Sequence, residues 1–197
     1  MNGNLEMKIS PKYRVSDFTK AHSDGSWDTL VNIFSDRLEG RYLKPIELIL
    51  TGDCEINEFS GFSILALDCI LIETLSQFDK GIEDTPFRQG KLSFVSFLTT
   101  KNDFKDNFDD ATAETFYDHF RNGLLHQAQT KEKSLIKINQ SKMVTKITDG
   151  LIIDRLKFHD ALKNEIESYK QHLLKDELNL RPNFILKMKH ICNIAQA

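Results

Sequence analysis

Three residues near the middle of the chain, Arg121, Asn122 and His126, have the types and spacing to act on a phosphate ester. A guanidinium offers a fork of donors to phosphate oxygens. An imidazole has both protonation states available near neutral pH and so suits proton transfer. The surrounding stretch, Phe116 to Gln129, repeats its aromatic and Leu residues at helical spacing with polar residues between them. On a 3.6-residue turn Asp118, Asn122, His126 and Gln129 form one polar stripe, and Phe116, Phe120 and Leu124 form an apolar one. Arg121 lies beside the polar stripe, where its long side chain reaches toward His126. The pair then faces one cleft, fitted to stabilise a phosphate and shuttle a proton.

A motif of this kind needs a scaffold. The 197 residues suffice for one domain with a substantial core. Hydrophobic residues at 40% and charged residues at 28% are those of an ordinary globular protein. The formal net charge of -3 excludes a broadly polycationic chain, so a polyanion would have to meet a local basic patch. Three cysteines, Cys54, Cys69 and Cys192, form an odd set without metal-type spacing, which points to a reducing compartment. The start lacks the charged-then-apolar shape of a leader, and the run Phe62 to Leu75 holds Asp68 and Glu73 and is too short to span a bilayer. A cytoplasmic protein without membrane contact is expected.

Residues 1–25 are polar and aperiodic and are expected to form a mobile or loosely docked arm. Trp27, Leu30, Val31, Phe34 and Leu38 then mark an amphipathic helix with Ser26 as its cap, interrupted at Gly40. A second short helix follows with Pro45 in its first turn, and Thr51 to Phe59 reads as a connector. The segment Gly61 to Leu75 is apolar around nearly its whole circumference, the pattern of a central helix. Asp68 and Glu73 within it require partners or exposure, and Glu73 is a candidate ion-pair partner for Arg121. Leu92 to Leu98 reads as a further helix, and Asp109 and Asp110 are placed to cap the motif helix. His22, His159, His172 and His190 are scattered without ligand spacing, so no metal site is expected.

Beyond the motif, Lys131 to Lys146 carries five lysines against one glutamate. Leu135, Ile136 and Ile138, then Val144 and Ile147, indicate a two-stranded hairpin around Asn139-Gln140-Ser141, with Asp149-Gly150 turning the chain again. Lys131 and Lys133 are candidate RNA-backbone contacts, weighed against a solvated strand edge protected by lysines. Asp154 opens a long amphipathic helix. Residues 180–197 read as a short terminal helix or tail.

Arg121-Asn122-x-x-x-His126 resembles the R-x(4–6)-H motif of the HEPN superfamily, and the stretches Gly61 to Phe78 and Phe116 to Gln129 look like a bacterial and plasmid-borne branch of HEPN-like proteins. The resemblance runs from about Trp27 to Leu174. It implies an all-α, HEPN-like bundle over residues 26–179 with a small β-hairpin at about 134–150. It also implies a metal-independent, cofactor-free endoribonuclease of toxin or defence type, acting as a homodimer whose paired motifs share a composite site, with a cognate antitoxin as a possible partner. His126 would transfer the proton of the attacking 2′-OH, Arg121 would hold the scissile phosphate, and Asn122 would orient His126. Gly123 departs from a regular helix. The competing expectations are a non-catalytic HEPN-like module that binds nucleotide, RNA or a protein, and a plain helical interaction protein. An exposed His126 with no phosphate-sized cavity would sink both the ribonuclease and the binding-module readings.

Overall fold

The computed structural model describes residues 5–196, the Cys54 side chain excepted. Helix makes up 65% of the chain, which places it in the mainly helical class, with one small three-stranded sheet. In order the elements are α1 (Val15–Ser23), α2 (Trp27–Leu38), α3 (Lys44–Leu50), α4 (Cys54–Phe59), α5 (Gly61–Lys80), α6 (Gly90–Thr100), α7 (Asp110–Phe116) and α8 (Asn122–Gln127). They continue with β1 (Leu135–Lys137), β2 (Val144–Ile147), β3 (Gly150–Asp154), α9 (Arg155–Lys175) and α10 (Leu180–Gln196). Wider, π-helical turns cover Glu39–Leu43 and Tyr117–Arg121.

The chain divides into two compact units, each built from separated stretches of sequence. The first holds residues up to Leu48, Gln77–Asp84 and everything from Glu167 onward. Its core is aromatic: Phe34 meets Phe78 edge-on at 5.0 Å between ring centroids, Tyr169 at 5.4 Å and Phe184 at 5.9 Å. Such pairs add about 0.5–1.5 kcal/mol each to the area they bury. The described part of the expected N-terminal arm is built into this unit. Ile9, Val15, Phe18 and Ala21 are buried, and Asp17 accepts the backbone N–H of Arg14 at 2.7 Å to start α1. A Val-x-x-Phe-x-x-Ala spacing is only three residues deep, too few for its periodicity to stand out in the sequence. Gly40 does not break the chain's helical course, because the π-helical turn carries α2 on into α3. The expected short terminal helix is the 17-residue α10, with Phe184, Met188, Ile191 and Cys192 buried.

The second unit comprises Ile49–Ser76 and Thr85–Ile166 and contains the sheet and the motif. Phe116 stacks on Phe120 at 5.1 Å and on Phe158 at 5.0 Å, and Phe94 stacks on Phe116 at 5.9 Å. Within α5, Ile64, Leu65, Cys69, Leu71, Ile72 and Leu75 are all buried, as its apolar circumference requires. The full helix is 20 residues long, enough by length and composition alone to cross a membrane, and much of it is buried within the protein. Cys69 and Cys192 are free and buried, and burial pushes both thiols upward, Cys192 to about 11.

The two expected strands exist, but they do not pair with each other. The sheet order is β1-β3-β2, with β1 parallel to β3 and β2 antiparallel to it. Asp154 explains the rearrangement. Its carboxylate accepts the backbone N–H of Gln140 at 2.6 Å, and its own N–H donates to the Met143 carbonyl at 2.9 Å. The segment after β1 is thereby wrapped around the end of β3 and delivers β2 to the far edge. The other carboxylate oxygen of Asp154 caps α9 through the N–H groups of Leu156 and Lys157.

Asp68 sits on the buried face of α5, fully shielded, with Oδ1 2.8 Å from Nδ1 of His159, itself 1% exposed. Burial raises the Asp68 carboxyl above its ordinary value, opposed by this bond. Its second oxygen and His159 Nε2 have no partner among the described residues. Removing one member of such a pair strands the other, which costs about 3–5 kcal/mol, whereas replacing both with apolar groups is close to neutral. His159→Leu is therefore expected to lose about 3–5 kcal/mol in urea unfolding, and Asp68→Leu/His159→Leu to recover most of that loss.

Candidate functional site

The motif is presented by the π-helical turn Tyr117–Arg121 and the short helix α8. The preceding α7 is started by Asp109, whose Oδ1 accepts the Thr112 N–H at 2.8 Å, while its Oδ2 accepts from Lys146 Nζ at 2.7 Å. In the π-helical turn the N–H of Asn122 reaches back to the carbonyl of Tyr117, adding a residue to the turn. The single even stripe expected for Asp118, Asn122, His126 and Gln129 is cut short accordingly. Asp118 and Asn122 remain neighbours at 3.5 Å, but the helix ends at Gln127, and Ala128 takes a left-handed conformation with φ 52°.

Gly123 has a positive reason to be glycine. A Cβ on it would lie 2.4 Å from the carbonyl oxygen of Gln129, because the chain folds back over α8 at this point and Gln129 N–H donates to the Gly123 carbonyl. Asn122-Gly123 is thus both the middle of the motif and the floor of the turn that ends it.

Arg121 is held from several sides. Its Nη2 donates to Glu73 Oε2 at 3.0 Å, the ion pair with α5 anticipated from the sequence. Nη1 donates to Asn122 Oδ1 at 3.2 Å and lies 3.5 Å from Nε2 of His126. The guanidinium carbon is 5.4 Å from the centre of the Tyr117 ring, and Nε is buried without a partner among the described residues. His126 stands five residues on, about 140° round a regular helix, so only the length of the Arg side chain closes the distance. A 3.5 Å separation is at the limit of a hydrogen bond. His126 is exposed, and Asn122 contacts Asp118 and Arg121 rather than His126.

A cleft of about 460 Å³ opens on the Glu73 side of this group, large enough for a phosphate. Glu73, Phe87, Arg88, Gly90, Lys91 and Tyr117 line it, while Arg121 and His126 do not. Lys91 donates to Asp118 at 2.8 Å and lies 3.4 Å from Glu114; the Asp118 hydrogen bond raises its pKa. Arg88, beside Gly90 and carrying φ 66°, stacks its guanidinium 5.1 Å from the Phe87 ring. Neither cation was singled out by the sequence, because both lie in a loop with no motif spacing. The lysines that were singled out sit elsewhere: the Lys131 N–H bonds the His119 carbonyl, and Lys133 pairs with Asp149 at 3.0 Å. His119 is half-buried, with Nδ1 2.9 Å from Ser134 Oγ. Among the described residues no group of three His, Cys, Asp or Glu side chains gathers to hold a metal.

The chain matches no protein-family model, no curated protein and no solved structure.

Two consequences can be measured. Lys146 and Thr112 hold the Asp109 carboxyl well below its ordinary value, so its capping stabilises the fold fully above about pH 4 and is lost as pH falls through the depressed value. Asp109→Asn, which cannot titrate, is expected to lose less melting temperature between pH 4 and pH 2 than the wild type. Gly123→Ala would stabilise an ordinary helix by about 1 kcal/mol. Here it is expected to lower the melting temperature, because the methyl group meets the Gln129 carbonyl.

Proposed function

We propose that this protein is a metal-independent endoribonuclease of the HEPN type, cleaving RNA by attack of the ribose 2′-OH on the adjacent phosphate. The observation that carries the reading is the disposition of Arg121: one nitrogen is anchored on Glu73 and another lies 3.5 Å from His126 Nε2. In this scheme His126 moves the 2′-OH proton, and Arg121 neutralises charge on the phosphoryl oxygens. Asn122 steadies the guanidinium rather than the imidazole. The products would be a 2′,3′-cyclic phosphate and a 5′-hydroxyl, and DNA would resist cleavage because it lacks the 2′-OH.

The exposure of His126 suits a composite site, in which a second copy brings its own motif against the first and supplies the missing wall. A homodimer is part of the proposal for that reason. A toxin or defence role, a cognate antitoxin and a cytoplasmic setting without membrane contact rest on the resemblance of the motif and its flanking helices to the family.

One observation favours a second reading, a non-catalytic HEPN-like module that binds nucleotide, RNA or a protein. Glu73 already neutralises Arg121, and His126 does not line the adjacent cleft. Cleavage of mixed RNA in EDTA decides between them. General acid–base catalysis is worth about 10²–10⁴-fold, so the expected result is cleavage by the wild type that falls by that factor in folded Arg121→Ala and His126→Ala. A folded wild type without activity would favour the binding module, and activity untouched by either substitution would refute the motif.

A further inference from the structure

A second groove, of about 700 Å³, lies between the start of α5 and β1, and nothing in the ribonuclease reading uses it. Ile136, Lys137 and Ile138 line it consecutively. Ile136 and Lys137 end β1 and Ile138 follows it; successive strand residues point to opposite faces, so a groove lined by both Ile136 and Lys137 runs along the strand's edge. Among the described residues no second strand pairs with that edge of β1, although just past the strand Gln140 Nε2 donates to the Ile138 carbonyl at 2.9 Å. Across the groove stand Phe59 and Phe62, 73% and 38% exposed.

The floor holds Arg155, which is 2% exposed. Nη2 donates to the carbonyl and side-chain oxygen of Asn57, and Nη1 donates to Ser60 Oγ at 3.3 Å. These bonds cap the end of α4 and leave Nε–H buried without a partner among the described residues, where the charge of the neighbouring Asp154 favours the cation without forming an ion pair with it. Glu58, on the same wall, is exposed and makes no bond to it. The guanidinium also lies against the first turn of α5. A Cβ on Gly61 would sit 3.2 Å from Nη1 and 3.0 Å from Ile136, so glycine leaves that approach open. The first N–H groups of a helix lack intrahelical acceptors and attract negative charge. A buried cation, a helix start, an apolar wall and a strand edge without a ladder partner therefore converge on one groove.

We propose that this groove binds the C-terminal end of an extended peptide. The peptide backbone adds to the edge of β1, an apolar last side chain lodges against Phe59 and Phe62, and the terminal carboxylate meets Arg155 and the first turn of α5. A small apolar acid would satisfy the cation but not the strand edge.

The test is fluorescence anisotropy of the whole chain with a labelled pool of random hexapeptides ending in Val, Ile, Leu or Phe, as free acids and as amides. The free-acid pool is expected to bind about tenfold or more tightly than the amides, and Phe59→Asp, at an exposed position, to abolish binding with the fold intact. Equal binding of acids and amides, no binding of the free acids by folded wild type, or binding unchanged in Phe59→Asp would overturn the proposal. So would decanoate binding as tightly as the free-acid pool. None of these outcomes depends on ribonuclease activity.

Discussion

The Glu73–Arg121 ion pair is the contact on which the candidate site depends. Both side chains are largely withdrawn from water, at 31% and 18% exposure, so neither charge is comfortable alone. A half-buried guanidinium without a carboxylate would swing toward solvent, and the motif would lose its fixed donor. Glu73 sits on α5, a long apolar helix, where it stands among buried residues that anchor the core. The core helix therefore fixes the position of the motif's cation. The second polar intrusion on the same helix, Asp68, answers to His159 and serves the packing rather than the motif.

The local backbone supplies the rest of the geometry. The π-helical turn widens the helix just before Arg121, and the fold-back at Ala128 ends it two residues after His126. Gly123 makes the fold-back possible by leaving room for the Gln129 carbonyl. The motif thus lies at the end of a continuous helical stretch that Asp109 starts and a left-handed residue, Ala128, closes.

Much of this was legible in residue types. The apolar circumference of Gly61 to Leu75 announced a buried helix, and a Glu within it announced a need for a cation. The caps at Asp109 and Asp154 were readable because a short acidic side chain before an apolar period has few other uses. What the sequence hid depended on distant partners. The parallel pairing of β1 with β3 hangs on Asp154 bonding Gln140, a contact that no local pattern encodes. The buried N-terminal residues were too sparse to show a period, and Arg88 and Lys91 reach their cleft only through the fold. The Arg155 groove was invisible for the same reason, since its cation, its phenylalanines and its strand edge come from three separate stretches.

The most direct test of the account is the cleavage rate of Glu73→Gln beside the wild type, resolved into kcat and KM. If Glu73 positions Arg121 for a developing charge, kcat is expected to fall about tenfold, with KM little changed and the melting temperature nearly kept. An unchanged kcat, or a loss of rate that only follows a loss of folded protein, would contradict it.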